Sequence, residues 1–134
     1  MKAFIILFVM IGSGYSVQSQ NPASDTLQWS LGQGTDLRTN QSFVYTGSLI
    51  TNAQSVQWVQ KSLTSTFSVT SVSGSWSDVS QQGQLVFTVE EEGASGLLTI
   101  ERTSNGLYVT MEFPRNDPQG SKVKWAVTQV TNNN

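Results

Sequence analysis

Apolar and polar residues alternate with a period of two along most of the chain after residue 26, and no helical period persists. Successive side chains of a β-strand point to opposite faces, so this pattern predicts strands that each bury one face. The sequence therefore predicts an all-β fold, a single antiparallel domain of eight or nine short strands within residues 20–134. The alternating segments cover residues 27–31, 43–50, 56–58, 67–69, 76–79, 85–89, 98–100, 107–113 and 123–127.

The dipeptide Asn105-Gly106 is a two-residue hairpin signal, because both central positions of a type I′ turn need a positive φ. A turn centred there sets Ile100 opposite Met111 and Leu98 opposite Phe113, so that apolar residues meet on one face.

A second turn is predicted at Gly93-Ala94, where a glycine suits the first central position of a type II′ turn. This turn pairs Phe87 with Ile100. Together the two turns predict a three-stranded meander over residues 84–113, with Phe87, Ile100 and Met111 in the core.

A meander with one apolar face closes either as an up-and-down barrel or as a two-sheet sandwich, and the short consecutive connections favour the barrel. The strand series over residues 26–130 resembles small lipocalin-like (calycin) barrels. That resemblance implies a closed barrel. The glycine-tryptophan signature that opens true lipocalins has no counterpart here, since Leu27-Gln28-Trp29 lacks a glycine two residues before the tryptophan.

The first nineteen residues have the organisation of a secretory signal peptide: a positive start at Lys2, an apolar run over residues 3–11 and compact residues at 17–19. The apolar run is shorter than the roughly 20 residues that cross a bilayer. We expect cleavage near Gln20 and an exported protein, periplasmic or extracellular, with no membrane span. The chain has no cysteine, which also excludes a lipid anchor on that residue.

The chain contains neither histidine nor cysteine. Their absence removes Ser-His-Asp and Cys-His catalysis and the usual ligands of zinc and other transition metals. Seven basic residues against nine acidic ones give a net charge of −2, which does not attract nucleic acid. We expect no cofactor and no metal. The acidic run at residues 90–92 is interpreted as a charged hairpin end rather than a Ca²⁺ site, because consecutive strand residues alternate in face.

The predicted register sets Glu101 opposite Thr110 and Thr99 opposite Glu112, so the two glutamates become diagonal neighbours on the outer face of the meander. A pair of carboxylates supplies the two catalytic groups that a glycosidase needs. Glutamate and threonine are also the ordinary residues of a solvated sheet face, and this second interpretation is favoured.

Tryptophans 29, 58 and 125 lie in alternating segments and are assigned to the core. The face on which the Trp76 side chain lies depends on a register difference of one residue. In one register it points outward beside Thr88, and in the other it faces Val89 in the core. Trp76 and Tyr108 are the aromatic residues expected to be exposed. With Glu101 and Glu112, they form the candidate ligand-binding set.

Three functions remain open. The leading hypothesis is a monomeric, non-catalytic binding module for a small apolar molecule, a glycan or a protein. The second is a structural or assembly subunit of the cell envelope that uses an edge strand. The third, least favoured, is a carboxylate-dependent hydrolase. An interior cavity would favour a small ligand. An exposed line of aromatic residues would favour a glycan, and a filled core with a bare edge strand would favour the assembly role.

Overall fold

The computed structural model describes residues 20–113 and 121–133, so the predicted signal peptide lies outside the described residues. The described chain is all β and contains nine strands. The strands are β1 (Leu27–Asp36), β2 (Gln41–Phe43), β3 (Gly47–Thr51), β4 (Ser55–Gln60), β5 (Leu63–Ser75), β6 (Gly83–Glu91), β7 (Ala94–Thr103), β8 (Gly106–Phe113) and β9 (Ser121–Asn132).

Eight of these strands form one closed antiparallel barrel, which confirms the predicted barrel over the sandwich. Neighbours follow in the order β1, β3, β4, β5, β6, β7, β8, β9, and β9 pairs back onto β1 to close the sheet. The extra strand, β2, pairs with the last three residues of β1 (Gly34–Asp36). The other edge of β1 is occupied by β9. Strands β2 and β3 therefore lie end to end along the same edge of β1. The predicted single strand over residues 43–50 is therefore two strands.

The inward-facing residues of all eight strands form one continuous apolar core. The core includes Phe87 and Ile100, which are fully buried, and Met111, which is 7% exposed, as predicted. Among the tryptophans assigned to the core, Trp29 and Trp125 are buried, and Trp58 packs against the core while partly buried.

Both predicted registers in the meander are wrong by two residues, and the error leaves the faces unchanged. Phe87 lies opposite Leu98, and Ile100 lies opposite Val109. The first turn is Glu92-Gly93, where both residues have positive φ. A shift of two residues keeps every side chain on its predicted face, because the side-chain period of a strand is two.

The second turn is Ser104-Asn105, one residue before the predicted position. Asn105 has a negative φ, and the positive φ of +147° belongs to Gly106, the first residue of β8. Thr103 supplies a local alternative to the expected turn, since its hydroxyl oxygen accepts a hydrogen bond of 3.1 Å from the Asn105 amide.

Different elements cover the two ends of the barrel. Residues 76–82 follow β5 as a loop rather than the predicted strand, and they bury Trp76 and Val79 at one end. At the opposite end, aromatic rings from three strands and from the link between β2 and β3 pack together.

Candidate functional site

Two adjoining grooves lie on the outer face of the barrel, where β6 to β9 meet β1, and we call them together the outer groove. They share Leu37 and Lys124, and their volumes are about 380 and 300 Å³. The first is lined by Gln33, Thr35, Leu37, Tyr108, Lys124 and Ala126. The second is lined by Leu37, Gln84, Thr99, Glu101, Thr110, Glu112, Lys122 and Lys124.

The strand registers explain why these side chains meet. Thr110 lies opposite Lys124 on β9, and Lys124 in turn lies opposite Thr35 on β1. All three point outward, because their neighbours along the strands fill the core. Closure of the barrel by β1 and β9 therefore creates the groove.

The aromatic surface of the outer groove is the Tyr108 ring. The Lys124 ammonium lies 4.4 Å from the ring centroid, which is within cation–π distance. The Tyr108 hydroxyl donates a hydrogen bond of 3.2 Å to the Asn105 carbonyl. These two contacts fix the ring along the surface before any ligand arrives.

The charges of the outer groove alternate in sign. Lys122 Nζ is 3.9 Å from Glu112 Oε1, and both side chains are more than two-fifths exposed. Gln84 Nε2 donates a hydrogen bond of 3.4 Å to Glu101 Oε1. Such exposed contacts contribute little to stability, so their main effect is to line the groove with both donors and acceptors.

Glu101 and Glu112 are not the diagonal neighbours that the sequence predicted. Glu101 lies opposite Tyr108, and Glu112 lies opposite Leu97. Four residues of strand then separate their positions, which is about 13 Å at 3.3–3.4 Å per residue. Their side chains also contact opposite neighbours, Gln84 on β6 and Lys122 on β9. The geometry of paired carboxylates that motivated the hydrolase hypothesis is therefore absent from this face.

Trp76 is not an exposed aromatic residue, and that expectation is wrong. Its side chain is 5% exposed, its ring centroid is 6.2 Å from that of Trp29, and its Nε1 donates to the Gln81 carbonyl at 2.9 Å. A Cβ at Gly83 would lie only 2.0 Å from Trp76 Cδ1, so the indole packs directly on the glycine. Both predicted placements treated Trp76 as a strand residue, but the strand ends at Ser75.

Three of the four candidate ligand-binding residues, Tyr108, Glu101 and Glu112, therefore line the outer groove. The sequence pattern did not indicate that Lys124, Lys122 or Thr35 belongs to that set. The alternation along β9 does place both lysines outward, but nothing local in the sequence indicates that β1 lies beside them.

A third groove of about 480 Å³ lies at the barrel end covered by residues 76–82. Its one cationic side chain, Arg102, donates from Nε to the Val79 carbonyl at 2.6 Å and thereby ties the loop to β7. That contact is structural, and the lining contains no aromatic ring.

The free edge of the sheet is short. β2 ends the strand order and pairs on one side only, over three residues. Val44, directly after it, is 94% exposed. Such an edge offers few ladder hydrogen bonds to an added strand.

Among the described residues, no helix is long and apolar enough to cross a membrane. Within the same part of the chain, no cluster of three or more acidic, histidine or cysteine side chains has the arrangement of a metal site. Comparisons with protein-family models, with curated proteins and with solved structures give no match.

Proposed function

We propose that this chain is an exported, non-catalytic binding protein that takes a neutral, hydroxyl-rich ligand, such as a glycan, in the outer groove. The observation that carries the proposal is the juxtaposition of Tyr108, Lys124 and Glu101 in the outer groove, whose two parts share Lys124.

The chemistry of the groove supports a neutral polar ligand over an ion. Two lysines and two glutamates line it, so their formal charges cancel, and an ion of either sign meets a repulsive partner. Sugar hydroxyls both donate and accept, which suits a lining of amide, hydroxyl, ammonium and carboxylate groups. The Tyr108 ring adds an apolar surface for the C–H face of a sugar ring.

A lipocalin-like architecture is part of the same proposal, and the eight-stranded closed barrel supports it. The ligand is placed on the outer wall because large apolar side chains, among them Trp29 and Phe87, occupy the interior.

The binding proposal is tested by titrating isotope-labelled protein with a panel of neutral oligosaccharides and following the amide signals of β8 and β9. We expect a ligand to shift the signals around Tyr108 and Thr110. Tyr108→Ala should weaken that ligand about 5- to 150-fold, because an aromatic platform contributes about 1–3 kcal/mol. Thr66→Ala, on the outward face of β5, is the matched control and should bind normally. Shifts confined to other strands, or full affinity in Tyr108→Ala, would overturn the proposed site.

The absence of catalysis is tested separately with a glycosidase panel on the wild type, Glu101→Gln and Glu112→Gln. We expect no turnover in any of them, because the register separates the two glutamates by about 13 Å along the strand and their side chains contact different neighbouring strands. Turnover that disappears in either variant would show a hydrolase.

Export is tested by intact-mass measurement of protein recovered from outside the cytoplasm of an expressing cell. A mature N-terminus near Gln20 is expected from the signal-peptide pattern. Full-length protein retained in the cytoplasm would contradict it.

A further inference from the structure

One of the four tryptophans buries an indole N–H that has no hydrogen-bond partner within residues 20–113 and 121–133. The unpartnered atom is Nε1 of Trp125, whose side chain is 7% exposed. The other three tryptophans donate to Thr51 Oγ1, Tyr45 Oη and the Gln81 carbonyl. A buried donor without an acceptor costs about 1–3 kcal/mol, so its presence in a folded protein calls for an explanation.

Aromatic rings surround this donor at the end of the barrel, and we call Phe43, Tyr45, Trp58 and Trp125 the aromatic end cluster. The Trp125 ring centroid is 4.7 Å from that of Trp58 and 5.6 Å from that of Tyr45. Trp58 donates to the Tyr45 hydroxyl at 2.6 Å, which fixes these two rings relative to each other. The cluster therefore provides rigid apolar walls around one free donor.

Phe43 covers the donor. A Cβ added to Gly34 would lie 2.5 Å from Phe43 Cζ and 2.9 Å from Trp125 Nε1, so the ring and the indole nitrogen meet over the bare glycine. Phe43 lies opposite Gly34 in the β1–β2 pairing and is 38% exposed.

The cover is attached weakly compared with the walls. Trp58 and Trp125 belong to strands that are paired on both sides within the barrel. Phe43 belongs to β2, which has three residue pairs on one side only, and no strand pairing follows at residues 44–46. Short edge elements with exposed backbone open at low free-energy cost, whereas barrel strands open only with the whole fold.

We propose that the aromatic end cluster is a second binding site, distinct from the outer groove, for a small neutral aromatic molecule that carries a hydrogen-bond acceptor. The ligand's ring takes the place of the Phe43 ring against Tyr45 and beside Trp125 as β2 moves away from Gly34. The ligand's acceptor atom accepts a hydrogen bond from the Trp125 N–H. The aromatic walls select a planar apolar body, and the free donor selects the acceptor.

The central test compares two probes of similar shape on the wild-type protein, acetophenone and ethylbenzene, of which the first alone has a carbonyl acceptor. Indole N–H signals of labelled protein report each tryptophan separately. We expect acetophenone to move the Trp125 signal downfield, as a new hydrogen bond does, and ethylbenzene to bind several-fold more weakly. An unmoved Trp125 signal at saturating acetophenone, or equal affinity for both probes, would overturn the proposal.

Two variants separate the donor from the cover. Trp125→Phe keeps a ring and removes the N–H, so it should bind both probes equally. Phe43→Ala removes the cover, so it should bind acetophenone several-fold more tightly than the wild type. The matched control is Val44→Ala, which changes the adjacent exposed residue and should leave both affinities as they are. A preference for acetophenone that persists in Trp125→Phe would contradict the role of the donor, and unchanged affinity in Phe43→Ala would contradict the role of the cover.

Discussion

The indole nitrogen of Trp29 donates a hydrogen bond of 2.9 Å to the hydroxyl of Thr51, and both residues are fully buried. Leu27 lies opposite Thr51, and Trp29 lies opposite Leu49, so the two partners are diagonal neighbours on the inner face of β1 and β3. The bond satisfies two polar groups inside an apolar core and ties the first barrel strand to the next.

Replacing Thr51 with valine tests the importance of this bond. Valine has the same shape but no acceptor, so the Trp29 N–H remains buried and unpaired. We expect the free energy of unfolding to fall by about 1–3 kcal/mol. Denaturant unfolding with an unchanged m-value measures it, and Thr51→Ser, which keeps the hydroxyl, should retain more of the stability. A Thr51→Val variant as stable as the wild type would show that the hydrogen bond contributes nothing to stability.

Phe87 at the centre of β6 gives a second prediction. Its side chain is fully buried, and Phe87→Ala should reduce the free energy of unfolding by about 3–5 kcal/mol because the deleted ring leaves a cavity. The matched control is Leu63→Ala, since Leu63 is 72% exposed and its truncation should change stability by less than about 0.5 kcal/mol. A midpoint for Phe87→Ala that equals the wild-type midpoint would place this residue outside the core.

The turn between β6 and β7 gives a third prediction. Glu92 has a φ of +51° and Gly93 a φ of +84°, so a bulky acidic residue occupies a left-handed position that asparagine tolerates better. Glu92→Asn should therefore stabilise the protein by up to about 1 kcal/mol. Glu91→Gln also removes one charge of the acidic run but leaves the turn unchanged. Its denaturation midpoint therefore separates the effect of charge from the effect of backbone strain. Stabilisation of equal size in both variants would point to charge repulsion instead of backbone strain.

The period-two pattern was enough to predict the all-β class and the buried face of the meander, and the short connections favoured the barrel over the sandwich. The face on which a strand residue lies depends only on the alternation along its strand. Phe87, Ile100 and Met111 are therefore buried, even though their cross-strand partners differ from those predicted. The positions of the two turns in the meander could not be predicted from the alternation. The Thr103 hydroxyl accepts from the Asn105 amide, and this side-chain contact stabilises a turn that ends before Gly106.

The candidate site was predictable only in part, for the same reason. The outward position of Tyr108 follows from alternation, but the distance between Glu101 and Glu112 depends on register and was wrong. Trp76 was misplaced because a loop that crosses the end of a barrel has no period of its own. Closure of β9 onto β1, which brings Thr35 to Lys124, joins residues about ninety positions apart, and local sequence patterns carry no signal for that pairing.

The loop over residues 76–82 gives the last prediction, which concerns acid. The backbone N–H of Ser80 and, secondly, its hydroxyl donate to the Asp78 carboxylate at 2.9 and 2.8 Å, and they hold the pKa of Asp78 below its ordinary value of 3.8. These bonds favour the charged form. Their contribution to stability is therefore complete above pH 3.8 and is lost as the pH falls through the lowered pKa.

Ser80→Ala removes the hydroxyl bond and keeps the backbone bond, so the Asp78 pKa should rise part of the way towards 3.8 without reaching it. A carbon-detected NMR titration of the Asp78 carboxyl measures the shift. The Trp76 indole signal reports the loop in the same samples, because its acceptor, the Gln81 carbonyl, belongs to the same turn. Asp78→Asn is the control, and its loop signal should no longer depend on pH in this range. A pKa for Asp78 that is the same in the wild type and Ser80→Ala would show that the Ser80 hydroxyl contributes nothing to the charged form.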